Sequence, residues 1–257
     1  MKTSFLKHRQ PLLVSMIQAE TPEKAVSDIV NSNYDGAEAF GFQICRLKPE
    51  FRTAETYRRI FSYTEDKPVY ITNYRAGHNV CKTDMQLAEE LLLALENGAT
   101  LCDIMGDFFD PSPFELTNNS EAVEKQKKLI DDIHSRGGEV LMSSHIHSFL
   151  KEKEVLDIAK TLESRGADIV KIVTASNTEE ELLENLKASV SLKKELKVPF
   201  LFLSTGPYCK IHRMIGPMFG SMMYLCVYRH DELSTKVQPV LKNVKAVVDN
   251  FDWKPFR

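Results

Sequence analysis

The chain has 257 residues, 43% of them hydrophobic and 27% charged, with a formal net charge of −3 at pH 7. That length suits one large α/β domain spanning residues 1–257, and it buries a full core without covalent staples. The near-neutral charge gives no electrostatic case for nucleic acid or an anionic membrane surface, so neither is expected as a partner.

Short apolar runs alternate with stretches of helical period, the pattern of βαβ units and a parallel sheet. The first run is PLLVSMI at 11–17, followed by Thr21-Pro22, an N-cap hydroxyl before a proline at the first helical position. GAEAFGF at 36–42 reads as the second strand and PVYITNY at 68–74, β-branched and aromatic, as the third. A helix from Asp84 through Leu95 closes at Gly98, and TLCDIMGDF at 100–108 is the fourth strand. A polar helix from Ser120 to Arg136 leads to EVLMSSH at 139–145, the fifth strand. After a helix over 152–165, ADIVKIV at 167–173 is the sixth. Thr178 and Glu181 form a capping box for the next helix. VPFLFLST at 198–205 and SMMYLCVY at 221–228 are the seventh and eighth strands, and a last helix is expected from Thr235 to Phe251. Eight strands alternating with helical stretches in sequence predict a (β/α)8 TIM barrel, and no G-x-G-x-x-G follows the first strand to support a dinucleotide fold.

The five cysteines are scattered, odd in number and never in a C-x-x-C arrangement. No disulfide framework and no zinc site is expected; Cys102 and Cys226, inside apolar runs, read as packing residues. MKTSFLKHRQ is too short and polar for a signal peptide, and no apolar run approaches the length of a membrane span, so the cytoplasm is the expected compartment.

In a barrel of this kind the active site forms at the C-terminal ends of the strands. That rule collects Ser15, Glu38, Arg75, His145, Lys171, Ser204 and Arg213. Lys171 lies between Val170 and Ile172 in an otherwise apolar strand, where an ammonium is costly unless it faces a site. If the amine is buried, its affinity for a proton falls and it becomes a nucleophile toward carbonyls. The bland alternative is an ammonium that escapes to solvent or pairs with an acid such as Asp168. His145 ends the neighbouring strand and is a general acid/base by type; His147 competes with it on the same face if the strand continues. The H-x-H pair raises a metal question, but no third ligand stands out.

SSH at 143–145, GADIVKI at 166–172 and the STG…IHR…FGS stretch at 204–221 resemble the corresponding motifs of type I 3-dehydroquinate dehydratase. The resemblance runs from VSM at 14–16 to Gln238. It implies that Lys171 forms an imine with the ketone of dehydroquinate. His145 would then take a proton from the adjacent carbon and return one to the departing hydroxyl, giving dehydroshikimate. It also implies a cyclic keto acid substrate, no cofactor and a homodimer.

By the same resemblance, Arg213 would fork the substrate carboxylate, Glu38 and Arg75 would hold hydroxyls, and Ser234 and Gln238 would belong to a lid written here as STKVQ. Two positions depart from the family. Phe40 stands where it usually has arginine, and Asn79 where it has the glutamate that bonds the catalytic histidine; His78 is a candidate substitute for that partner. Three readings follow: the dehydratase itself, an imine-forming lyase for another polyhydroxylated keto acid, and a catalytically weak relative.

Overall fold

The computed structural model describes residues 2–8, 11–251 and 253. Its elements alternate: β1 Leu12–Ile17, α1 Pro22–Tyr34, β2 Ala39–Gln43, α2 Ala54–Ser62, β3 Val69–Thr72, α3 Asp84–Glu96, β4 Leu101–Met105 and α4 Ser120–Ser135. The second half continues with β5 Glu139–His145, α5 Glu152–Ser164, β6 Ile169–Ala175, α6 Glu179–Glu195, β7 Phe200–Thr205, α7 Cys209–Ile215, β8 Met223–Cys226 and α8 Leu241–Val248. The strands are parallel in the order β7-β6-β5-β4-β3-β2-β1-β8. The ring closes where Phe200 bridges Ser221 and accepts the Met222 N–H at 2.8 Å, just ahead of β8. The chain is a (β/α)8 barrel, as the alternation predicts.

Local chemistry explains the element ends. Thr21, Thr83 and Thr178 each accept a backbone N–H of the first helical turn, and Thr83 completes a reciprocal box with Gln86. Gly98 and Gly166 follow α3 and α5 with φ of +115° and +105°, a left-handed conformation that glycine adopts without a Cβ penalty.

Two helices lie outside the expected set: α2, which starts from the Thr53 cap and buries Tyr57, Ile60 and Phe61 on one face, and the short α7. The last helix begins at Leu241, not Thr235. Pro239 disfavours a helical residue before it, and Val240 instead bridges Val227 in parallel fashion.

Strand periodicity sorts the side chains onto two faces. Val14, Met16, Ala39, Tyr70, Leu101, Leu141, Ile169, Leu201 and Leu225 pack together inside the barrel over the plug residue Phe5. Leu13, Phe40, Phe42, Ile71, Ile104, Met142, Ile172, Phe202 and Tyr224 point outward against the helices. Each fully buried aliphatic or aromatic side chain contributes roughly 1.5–3 kcal/mol. The two-residue period also decides which polar residues can face the mouth.

Candidate active site

Lys171 belongs to the inward set of β6, between Ile169 and Val173, and its side chain is 5% exposed. Its ammonium donates to the Tyr74 hydroxyl at 2.5 Å, the Tyr70 hydroxyl at 3.1 Å and Asp103 Oδ2 at 3.2 Å. Asp103, inward on β4, is the acid that offsets the buried charge; Asp168, the acid nearest in sequence, instead accepts the Val140 N–H at the opposite end of the barrel. The Asp103 carboxylate also accepts from Ser143 at 2.5 Å, from Tyr74 at 2.6 Å and from Tyr70. Burial alone pushes the Asp103 carboxyl up, but the charges of Lys171 and His145 and the hydroxyls of Ser143 and Tyr70 outweigh it and hold it below the ordinary range. Burial and the Asp103 charge together push both tyrosine hydroxyls well above theirs, so they stay neutral donors.

Ser143 of β5 pairs in register with Lys171, and His145 stands two residues further toward the mouth on the same face. Its ring meets Tyr74 edge-on at 5.1 Å between centroids, so Tyr74 touches both the amine and the imidazole. His145 Nδ1 lies 2.6 Å from Glu115 Oε2, and the same oxygen accepts the His145 backbone N–H at 3.1 Å. His147 is exposed beyond the end of β5, and His78 is exposed as well, so neither is the partner of this ring.

The other expected residues divide. Arg213, on α7, is buried, donates from Nε to the Ser204 carbonyl at 3.0 Å, and pairs with no carboxylate among the described residues. Burial lowers its pKa to about 10. The Ser204 hydroxyl and the Gln238 side-chain oxygen are likewise buried without a partner among the described residues. The loop carrying Ser234 and Gln238 is drawn onto the ends of β1 and β2: Gln18 exchanges two hydrogen bonds with Thr235, at 2.7 and 2.8 Å, and donates to Gln43. The Ser234 hydroxyl is engaged within its own turn, accepting the Asp231 N–H at 2.8 Å.

Three of the expected residues lie away from Lys171 and His145 or are engaged elsewhere. Glu38 precedes β2 at the N-terminal end of the barrel, exposed, where its carboxylate accepts the Leu13 N–H at 2.9 Å. Asp168 does the same to Val140 ahead of β6, so the acid of each Gly-Ala-acid turn fastens the preceding strand. Ser15 faces outward and bonds Ser32 of α1 at 2.7 Å. Arg75 lies at the end of β3, but its guanidinium is taken by acids. It holds Asp84 bidentately at 2.7 and 2.8 Å and Asp107 at 2.8 Å.

The two family departures also have a different meaning in three dimensions. Phe40 packs outward in the helix layer and leaves the pocket lining unchanged, since the inward residues of β2 are Ala39, Gly41 and Gln43. Asn79 sits in a buried network with Arg52 and Asn73, itself bonded to Glu90, and does not reach His145.

A model of the Type I 3-dehydroquinase family matches residues 14–248. The chain belongs to the type I 3-dehydroquinase family. Curated relatives named 3-dehydroquinate dehydratase include one from Klebsiella pneumoniae, 26% identical over 142 residues, which are 54% of this chain and 54% of that protein. Another, from Alkaliphilus oremlandii, is 33% identical over 136 residues, 52% of this chain and 51% of its own. The match thus spans about half the length of these curated relatives. Among solved structures, the 3-dehydroquinate dehydratase of Geobacillus kaustophilus superposes with a TM-score of 0.81 at 15% identity, covering 95% of this chain and 92% of that one. The dehydroquinase fold is therefore common to both chains despite their sparse identity.

Tyr70, Tyr74, Asp103 and Glu115 lie outside the set that the sequence singles out. An isolated aspartate in TLCDIM carries the same signal as Lys171, and tyrosines at 70 and 74 share a strand face. Glu115 lies in a loop whose path no periodicity foretells.

Proposed function

We propose that this chain is a hydro-lyase of the 3-dehydroquinate dehydratase type. The observation that carries the reading is the pairing of Lys171 and His145 on adjacent strands, both inward, with His145 held through Nδ1 so that Nε2 is left for proton transfer. The Lys171 amine attacks the substrate ketone, and loss of one water gives an iminium. His145 then removes a proton from the carbon beside the iminium, and the electron pair is drawn toward nitrogen. As the hydroxyl leaves, the same ring returns that proton to it, so a second water departs. Hydrolysis of the product iminium consumes one water and regenerates the amine; the net change is loss of one water.

Asp103 suits this cycle because the positive charge at Nζ lies beside its carboxylate as ammonium and as iminium alike. The buried guanidinium of Arg213, paired with no carboxylate among the described residues, supports an anionic substrate such as a carboxylate. A second reading, an imine-forming lyase for another polyhydroxylated keto acid, is favoured by Arg75: its fork is engaged by Asp84 and Asp107 and offers less to substrate hydroxyls.

Incubation with 3-dehydroquinate and borohydride, with enone absorbance followed in parallel, tests both. A mass adduct on Lys171 together with enone formation, each lost in Lys171→Ala, is the expected result. An adduct without enone supports the second reading, and absence of both signals overturns the dehydroquinate assignment.

A further inference from the structure

We propose that Glu115 is the positioning carboxylate of His145, and that Arg75 braces the loop that delivers it instead of gripping substrate. This rests on His145 being the proton-transfer group of the proposed reaction.

A single oxygen, Glu115 Oε2, takes both the ring Nδ1 and the backbone N–H of His145. Gripping main chain and ring at once fixes the side-chain rotation and the tautomer, leaving Nε2 as the basic nitrogen. No other carboxylate bonds to this ring among the described residues.

Reaching that position strains the loop after β4. Phe114 and Glu115 are consecutive non-glycine residues at φ of +70° and +45°, a conformation costing on the order of 1 kcal/mol or more for each. Such a pair persists only where its surroundings hold it. The Ser144 hydroxyl, next to His145, donates to the Phe114 carbonyl. Gly106 lets the Glu115 carbonyl come so close that a Cβ there would lie 2.6 Å from it. The buried Arg165 donates to the carbonyls of Gly106, at 2.7 Å, and Thr117, fixing both flanks of the loop.

Arg75 completes the brace. Its guanidinium joins Asp84 to Asp107; Asp84 accepts the Phe109 N–H at 2.6 Å, and Asp107 accepts the Ser112 N–H at 2.8 Å. With its bonds directed to these two acids, the Asp107 carbonyl and Met105 Sδ, Arg75 sets the course of residues 107–112, from which the chain turns to Glu115.

The test uses the full chain labelled with 15N-histidine, and its first arm needs no substrate. The wild type is expected to show a strongly downfield Nδ1 proton for His145. Glu115→Gln abolishes it, Glu115→Asp retains it in weakened form, and Asn79→Asp leaves it untouched; far-UV circular dichroism checks folding throughout. In turnover of 3-dehydroquinate, Glu115→Gln lowers kcat at least about tenfold, part of the ~100- to 10,000-fold that acid/base groups supply, with KM little changed. Arg75→Met weakens the proton signal and lowers kcat in the same pattern. An unchanged Nδ1 signal in Glu115→Gln overturns the Glu115 assignment, and a raised KM with an intact signal in Arg75→Met overturns the brace. Wild-type protein that shows the signal but never turns over dehydroquinate contradicts the proposed substrate while the assignment of Glu115 stands.

Discussion

Lys171 and Asp103 form an ion pair across the barrel interior, Nζ to Oδ2 3.2 Å, from strands separated by β5. Both side chains are almost wholly buried, so each charge depends on the other and on the hydroxyls around them. Removing one member leaves the other uncompensated in a low-dielectric site.

Asp103→Asn is therefore expected to lose about 3 kcal/mol of unfolding free energy at pH 7, measured by urea denaturation. A double-mutant cycle with Lys171→Met should give a coupling of about 1–3 kcal/mol; strictly additive losses would sink the idea of a mutually dependent pair. The pH dependence has a definite sign. The Asp103 carboxyl titrates lower in the folded protein than in the unfolded chain, so its contribution is complete above the ordinary aspartate value of about 3.9 and is lost as pH falls through the folded one. Between about pH 5 and pH 2, the urea midpoint of the wild type should fall more steeply than that of Asp103→Asn.

Tyr74 covers the amine. Its hydroxyl bonds both Lys171 and Asp103, and its ring borders His145. Tyr74→Phe removes the hydroxyl while keeping the ring, and should cost about 1–2 kcal/mol. It should also speed reductive methylation of Lys171, followed by peptide mass mapping. An unchanged methylation rate would show that the hydroxyl does not restrain the amine.

Gly106→Ala tests whether backbone approach is required. The added Cβ would meet the Glu115 carbonyl at 2.6 Å and Leu162 Cδ2 at 2.9 Å, so the loop must move. A loss of about 1–3 kcal/mol is expected, together with greater proteolytic sensitivity between residues 107 and 117. A variant as stable and as protease-resistant as the wild type would mean that the loop yields without cost.

Glu38→Ala separates fastening from binding. Among the described residues the side chain accepts the Leu13 N–H alone, at the end of the barrel remote from the mouth. Loss of about 1 kcal/mol of stability is expected, with KM for 3-dehydroquinate unchanged. A substantial rise in KM would restore the binding role that family resemblance implies for it.

Much of this architecture is legible in the order of residues. Apolar runs alternating with capped helical stretches determine the eight strands and six of the helices between them, because hydrophobic periodicity and turn chemistry act over a few residues. A lysine in the middle of an apolar strand, with a histidine ending the strand before it, marks the candidate reactive centre for the same local reason: a buried charge is costly without a purpose. What folding alone decided is which side of each strand faces the barrel and which distant groups meet there. Glu38, Phe40 and Ser15 fall on outward or N-terminal positions because a strand's side chains alternate, and a shift of one residue reverses the face. Asp103 and Lys171 are 68 positions apart, and Glu115 and His145 are 30 apart, so no local pattern pairs them. Their contact follows from closure of the sheet and from a strained loop held by Arg75, Asp107 and Gly106, which exist as neighbours only in the folded barrel.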